Sequence, residues 1–212
     1  GTDQIGRFDL EIDTDSNRIQ NFTWKSIPIT AEHCPRDTAL EEILGRYKSV
    51  AEEKYARVVT RLKRPLTHPS WYQETELGGF LADILQESLR LDMMLVGSGS
   101  IRVTELGPIV LFSNLTECIP YDDAAIALWV KGAQLKKMIL YMLRDEVWDG
   151  SHCEFFQFSE GMRVVYDKSN HKLKEFSLHG APIEEEKVYK IGLQYYFYLN
   201  LNNNTILDDI LN

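Results

Sequence analysis

Met93-Met94-Leu95-Val96 is apolar at every position, and Gly97-Ser98-Gly99-Ser100 stops it at once. A strand points successive side chains to opposite faces, so a run with no polar residue must be covered on both sides. This one segment therefore demands an interior strand with packed layers above and below it. The flanking segments supply the covers. Leu77, Phe80, Leu81, Ile84, Leu85 and Leu89 recur at helical spacing before it, and Leu135, Met138, Ile139, Met142 and Leu143 recur likewise after Gly132. Ala125 to Val130 reads as a second apolar strand, and Ser113 is placed to cap a short helix through Cys118. Phe155–Phe158, Met162–Asp167, Leu173–Leu178 and Val188–Leu193 read as further strands. Turns at Lys168-Ser169-Asn170 and His179-Gly180 are expected to join three of these as a meander. The expected fold is α+β, a mixed β-sheet with packed helices. Asn202-Asn203-Asn204 reads as a loop before a final helical turn at Ile206–Leu211.

The opening segment has a different pattern. Arg7 to Ile12 and Ile19 to Trp24 alternate polar and apolar residues around the turn-forming Asp13-Thr14-Asp15-Ser16-Asn17. Two strands bury too little to stand alone and need a sheet to join, in this chain or in a segment outside it. Thr38 with Glu41 fits a capping box, opening an amphipathic helix to about Ala56 that carries Leu40, Ile43, Leu44, Tyr47, Val50 and Ala51. A packed helix and a connector between domains are equally consistent with that pattern. Val58 to Leu62 reads as a short strand.

Composition narrows the function classes. The chain has 212 residues, 44% hydrophobic, with 23 basic and 32 acidic residues and a net charge of −9. An acidic surface repels phosphate backbones, which argues against nucleic-acid binding. No apolar run reaches the length of a membrane helix. The chain does not begin with Met and reads as a piece of a longer protein, its first Gly fitting a tag scar. Cys34, Cys118 and Cys153 form no Cys-x-x-Cys pair and read as small buried residues. His33, His68, His152, His171 and His179 make no His-x-His or His-x-x-x-His pair, so a dinuclear metal site is not expected here. Each reads as a surface or structural histidine. Phosphate-loop and serine-elbow motifs are also missing.

Three features remain as candidate sites. In Gly97-Ser98-Gly99-Ser100-Ile101-Arg102, glycines let backbone amides approach an anion, and Arg102 offers a planar fork for phosphate, carboxylate or hydroxyl oxygens. A tight turn with a surface arginine reads equally from those residues. Pro120-Tyr121-Asp122-Asp123 offers a ring for stacking and carboxylates for hydroxyls, or a plain packed turn. Gln194-Tyr195-Tyr196-Phe197-Tyr198 is an aromatic cluster of the kind that fills cores.

The ordered set of these motifs resembles the C-terminal domain of the 5′-nucleotidase and UDP-sugar hydrolase family. The matching residues are Glu74-x-x-Leu77-Gly78-Gly79-Phe80-Leu81-Ala82-Asp83, then Gly97 to Arg102 and Pro120 to Asp123. Lys131-Gly132-Ala133-Gln134-Leu135, Gly161 to Asp167 and Val188 to Ile191 follow in order. The resemblance implies three parts: a hairpin at 1–36 ending an N-terminal metallophosphatase domain, an interdomain helix at 37–57, and a substrate-binding domain at 58–212. It implies that the upstream domain holds two divalent metals and cleaves the phosphate ester, while this chain binds the nucleotide or nucleoside and is inactive alone. By that resemblance the substrate-binding residues are Arg102, Tyr121, Ser98, Gly99, Ser100, Asp122 and Tyr196. The chain departs from the family at Gly97, where many members have asparagine, and at Gln73, where some have arginine. It also lacks a Gly-Gly-Asp-Gly loop near Leu199-Asn200-Leu201-Asn202. Those departures keep a second implication open, a non-catalytic scaffold of the same fold.

Overall fold

The computed structural model describes residues 3–148 and 154–203. His152, Cys153 and the helical turn expected at Ile206–Leu211 lie outside these residues. The chain divides into two compact units, residues 1–54 and 55–212.

In the first unit, β1 (Gln4–Asp13) and β2 (Arg18–Pro28) form a two-stranded antiparallel sheet, followed by α1 (Thr38–Tyr55). Cross-strand pairing sets Phe8 against Trp24 and Leu10 against Phe22, so one face of the hairpin is aromatic. Phe8 and Trp24 pack with ring centroids 4.6 Å apart, and a Cβ on Gly6 would run into the Trp24 ring. The hairpin pairs with no third strand among the described residues, and these four side chains are each at least half exposed. The expected Thr38 cap is corrected. Asp37 Oδ1 accepts from the Leu40 amide at 3.0 Å, because a carboxylate one residue earlier reaches the free amides of the first turn. Glu41 is held instead by a paired contact to Arg36, at 2.6 and 2.7 Å.

The second unit begins with β3 (Val58–Arg61) and β4 (Leu66–Thr67), which pair with β7 (Ile109–Leu111) and β6 (Glu105–Leu106). Its main sheet has the order β8-β13-β5-β9, with β5 at Met93–Gly97, β8 at Ala125–Lys131, β9 at Phe156–Phe158 and β13 at Val188–Gln194. β5 and β13 run parallel, with Ile191 beside Met93 and Leu193 beside Leu95. The double cover demanded by the apolar run is present. Met93 and Leu95 enter the larger core with Leu135, Met138, Ile139 and Met142 of α4 (Gly132–Met142). Met94 and Val96 enter a second cluster with Ala82 and Leu85 of α2 (Glu76–Leu89). Each fully buried aliphatic side chain of this kind contributes about 1.5–3 kcal/mol.

The expected meander holds only in part. β10 (Met162–Asp167) and β11 (Lys172–Leu178) pair through the Lys168-Ser169-Asn170 turn, but the His179-Gly180 turn leads to the two-residue β12 (Ala181–Pro182). Val188–Gln194 leaves for the main sheet, because Ile191 and Leu193 are apolar enough to sit between two neighbouring strands. Two further details are corrected. The short helix is α3 (Phe112–Cys118), and Asn114 rather than Ser113 closes its first turn by accepting from the Leu111 amide at 2.9 Å. Cys118 is buried as expected, but Cys34 is exposed.

The family-like motif before β5 acts as a fold determinant. Leu77 and Ala82 are fully buried, and Thr75 caps α2 by accepting from the Gly78 amide at 3.1 Å. Gly78 lies directly against the Gln157 side chain. Asp83 accepts from the Glu160 amide at 2.6 Å and so ties α2 to the turn after β9.

Candidate functional site

The Gly-Ser-Gly-Ser turn follows the C-terminal end of β5 and is fixed from several directions. His68 is 1% exposed; its Nε2 donates to the Ser98 carbonyl at 3.2 Å, and its Nδ1 meets the Thr75 hydroxyl at 2.7 Å. Gln157, fully buried on β9, donates from Nε2 to Ser98 Oγ at 2.9 Å and to the Gln73 carbonyl at 2.8 Å. Its Oε1 accepts from the Thr75 amide at 2.9 Å. Gln194, at the end of β13, accepts from the Gly97 amide at 2.9 Å and donates to Ser100 Oγ at 3.1 Å. Burial pushes the His68 pKa down, against the Ser98 carbonyl, which pushes it up.

Beyond the turn lies a cavity of about 750 Å³, walled by Trp71, Tyr72, Arg102, Tyr121, Glu154 and Tyr196 among others. The Arg102 backbone amide bonds to the Cys118 carbonyl at 2.8 Å, which fixes its base beside α3. Its guanidinium donates to the Gly99 carbonyl at 3.1 Å and lies over the Trp71 ring, 5.1 Å from the centroid. Tyr121 and Tyr196 are exposed, at 53% and 60%. Tyr196 stands in the first turn of α5 (Tyr195–Asn203), whose amides are met by the Asp123 carboxylate at 3.2 Å and the Ala124 carbonyl at 2.7 Å. Glu154 accepts from the Gly99 amide at 2.6 Å. Burial pushes its carboxyl up, opposed by that amide and by the charge of Arg102.

The structure brings Arg102, Gly99, Ser100, Tyr121, Asp122 and Tyr196 around this one cavity. Ser98 stands apart: it is fully buried and its hydroxyl is turned to Gln157. In the aromatic cluster Phe197 is core, 6% exposed, while Tyr195 is outside the cavity wall. A Cβ on Gly97 would strike the Phe197 ring, so Phe197 fills the space a larger residue at 97 would use. Trp71, Tyr72 and Glu154 were not legible as site residues. The two aromatics sit in a proline-flanked loop without periodicity, and Glu154 precedes an apolar strand, where a charge reads as solvent-facing.

A second cavity, about 810 Å³, is bordered by Trp148, Phe155, Met162 and Tyr166. Its Arg163 and Glu175 are engaged with each other at 2.9 Å, and Lys168 lies over Trp148. Among the described residues no group of three or more His, Cys, Asp or Glu side chains is gathered to hold a metal. No helix among the described residues is long and apolar enough to cross a membrane.

Helices on a mixed sheet, with an arginine, a glycine turn and aromatic walls around a cavity at one strand end, define an α+β domain. The chain belongs to the family described as 5′-nucleotidase, C-terminal domain, whose model matches residues 55–208. It is 26% identical over 139 residues, 64% of its length, to the endonuclease YhcR of Bacillus subtilis, covering 11% of that protein. It is 23% identical over 218 residues, 92% of its length, to the uncharacterized metallophosphoesterase YunD of the same organism, covering 44% of it. The fold resembles the 5′-nucleotidase precursor of Thermus thermophilus, with TM-score 0.64 at 17% identity, over 97% of this chain and 42% of that one. The chain thus spans less than half the length of each of these relatives.

Proposed function

We propose that residues 55–208 form the nucleotide- or nucleoside-recognition domain of a 5′-nucleotidase-type metallophosphoesterase, with the two divalent metals and bond cleavage on a domain outside this chain. The observation that carries the reading is the single cavity shared by Arg102, Tyr121 and Tyr196. A planar ring can stack on either tyrosine, and the guanidinium can reach polar atoms of the same ligand. The hairpin and α1 are read as the end of that upstream domain and the connector to it. The exposed aromatic face of the hairpin and its lack of a third strand among the described residues support this.

Stacking is worth about 1–3 kcal/mol per ring, so an isolated chain with one arginine is expected to bind in the millimolar range. Titration of the labelled chain with adenosine, AMP and UDP-glucose tests it. Shifts at Tyr121, Tyr196 and Arg102 are expected; an unchanged spectrum at all three sinks the reading. One observation favours the scaffold alternative: Asp123 is committed to the start of α5, leaving Asp122 as the loop's ligand-facing carboxylate. Such a scaffold would give that unchanged spectrum.

A further inference from the structure

The carboxylate of Glu154 lies where the glycine turn would otherwise meet an anion. A Cβ on Gly99 would stand 3.1 and 3.2 Å from its two oxygens, and one on Gly97 would stand 2.9 Å from Oε1. Glycine at both positions therefore leaves room for a carboxylate laid across the turn. Oε1 takes the Gly99 amide, while Oε2 takes no hydrogen bond among the described residues. The same cavity holds Asp122 and Asp123, and Arg102 is its one cation among the described residues. Asp123 is engaged by the Tyr196 amide, so Glu154 and Asp122 are the wall's acceptors, and three carboxylates against one guanidinium repel an added anion.

We propose that Glu154 determines ligand choice in this cavity: it accepts hydrogen bonds from a hydroxyl or amino group on the ring-bearing part of the ligand and keeps free phosphate off Arg102. The proposal rests on reading the cavity as the nucleoside site and adds the chemistry of the group held there. One carboxylate oxygen fixed by Gly99 leaves the other pre-oriented, and a charge-assisted bond to it is among the stronger polar contacts available. The Trp71 ring against the guanidinium keeps Arg102 within the same wall.

The test uses the whole chain, isotopically labelled, with four probes. They are adenosine, 2′,3′-dideoxyadenosine without the 2′ and 3′ hydroxyl donors, purine riboside without the amino donor, and inorganic phosphate. In the unmodified chain adenosine moves the Gly99 and Arg102 resonances, and phosphate leaves both in place. One of the two analogues binds about tenfold or more weaker, the loss expected for a charge-assisted bond, and which one it is identifies hydroxyl or amino recognition. Glu154→Ala weakens adenosine by a similar factor and lets phosphate move Arg102. Glu154→Gln keeps an acceptor for Gly99 without the charge and gives an intermediate result, its fold verified by an otherwise unchanged amide spectrum. If phosphate moves Arg102 in the unmodified chain as strongly as adenosine does, the proposal is wrong. Equal binding of all three nucleosides overturns it as well. If no nucleoside binds but Glu154→Ala gains phosphate, the nucleoside reading falls while the exclusion of anions by Glu154 stands. If that variant gains no phosphate, the exclusion itself is refuted.

Discussion

Gln157→Glu changes one buried amide nitrogen to oxygen and leaves the shape of the side chain intact. Gln157 Nε2 now donates to the Gln73 carbonyl and to Ser98 Oγ, while Oε1 accepts from Thr75. A carboxylate keeps the Thr75 bond but sets an oxygen against the Gln73 carbonyl. A buried acceptor stripped of its donor costs about 1–3 kcal/mol. The variant's charge, in a fully buried position, adds a few kcal/mol more until the group takes a proton. The sum at pH 7.5 is about 3–5 kcal/mol, a large part of the ~5–15 kcal/mol that holds a domain folded. Protonation restores one donor, and the new carboxyl has a folded-state pKa raised by burial. The deficit therefore grows as pH rises through that value and shrinks toward pH 5. Urea unfolding, followed by tryptophan fluorescence at pH 5 and pH 7.5 for both proteins, reads it directly. With a slope of about 2 kcal/mol/M, the variant's midpoint should fall by roughly 2 M at pH 7.5 and by much less at pH 5. A midpoint loss under about 0.5 M at pH 7.5, or one independent of pH, would refute the claim that this amide holds the turn through its donors.

His68 is neutral in the fold because burial lowers its pKa, so stability should drop as pH falls below about 6.5, where the unfolded chain takes up the proton first. His68→Gln should lose that part of the slope in an unfolding series from pH 7 to pH 5.5. Gly78→Ala should destabilise by about 1–3 kcal/mol in thermal or urea unfolding, since the new Cβ meets Gln157, although alanine favours a helix. Arg102→Ala should change unfolding free energy by less than about 1 kcal/mol, because the side chain is exposed, yet abolish the nucleoside-induced shift at Tyr121. Arg102→Lys should recover only part of that shift.

The legible parts of this chain are those where one residue type has one physical consequence. Met93 to Val96 demanded cover on two faces and received it from α2 and α4. Arg102 after a glycine turn, and Tyr121 after a proline, were visible as candidates because local backbone chemistry limits what such segments can do. The orientation of Ser98 was not legible for a reason equally physical: alternation within the turn sends its hydroxyl inward to Gln157, and sequence gives no hint of a partner 59 residues away. The placement of Glu154 was invisible for the same reason, since it is held by the amide of Gly99, 55 positions earlier. Val188–Gln194 could be recognised as a strand, but its neighbours could not, because pairing partners are fixed by tertiary closure and not by composition. The helix caps at Asp37 and Asn114 were each missed by a single position, which is the usual scale on which competing short polar side chains differ.

The parallel pairing of β13 with β5 has a consequence for how the polypeptide is made. A ribosome delivers Met93 to Val96 long before Val188 to Gln194, so the most apolar strand waits with both edges open until Phe156–Phe158 follow, and with its β13 edge open while some ninety residues are added. Neither Gln194 nor Phe197 exists yet to brace the glycine turn, and the cavity has no back wall. The nascent chain therefore emerges with a sticky segment and an incomplete cavity, and both conditions end together when β13 slots between β5 and β8. Closure of that long loop is a slow step by its topology. Slowing elongation after residue 97 would lengthen the interval in which chaperones or neighbouring nascent chains can capture the exposed edge.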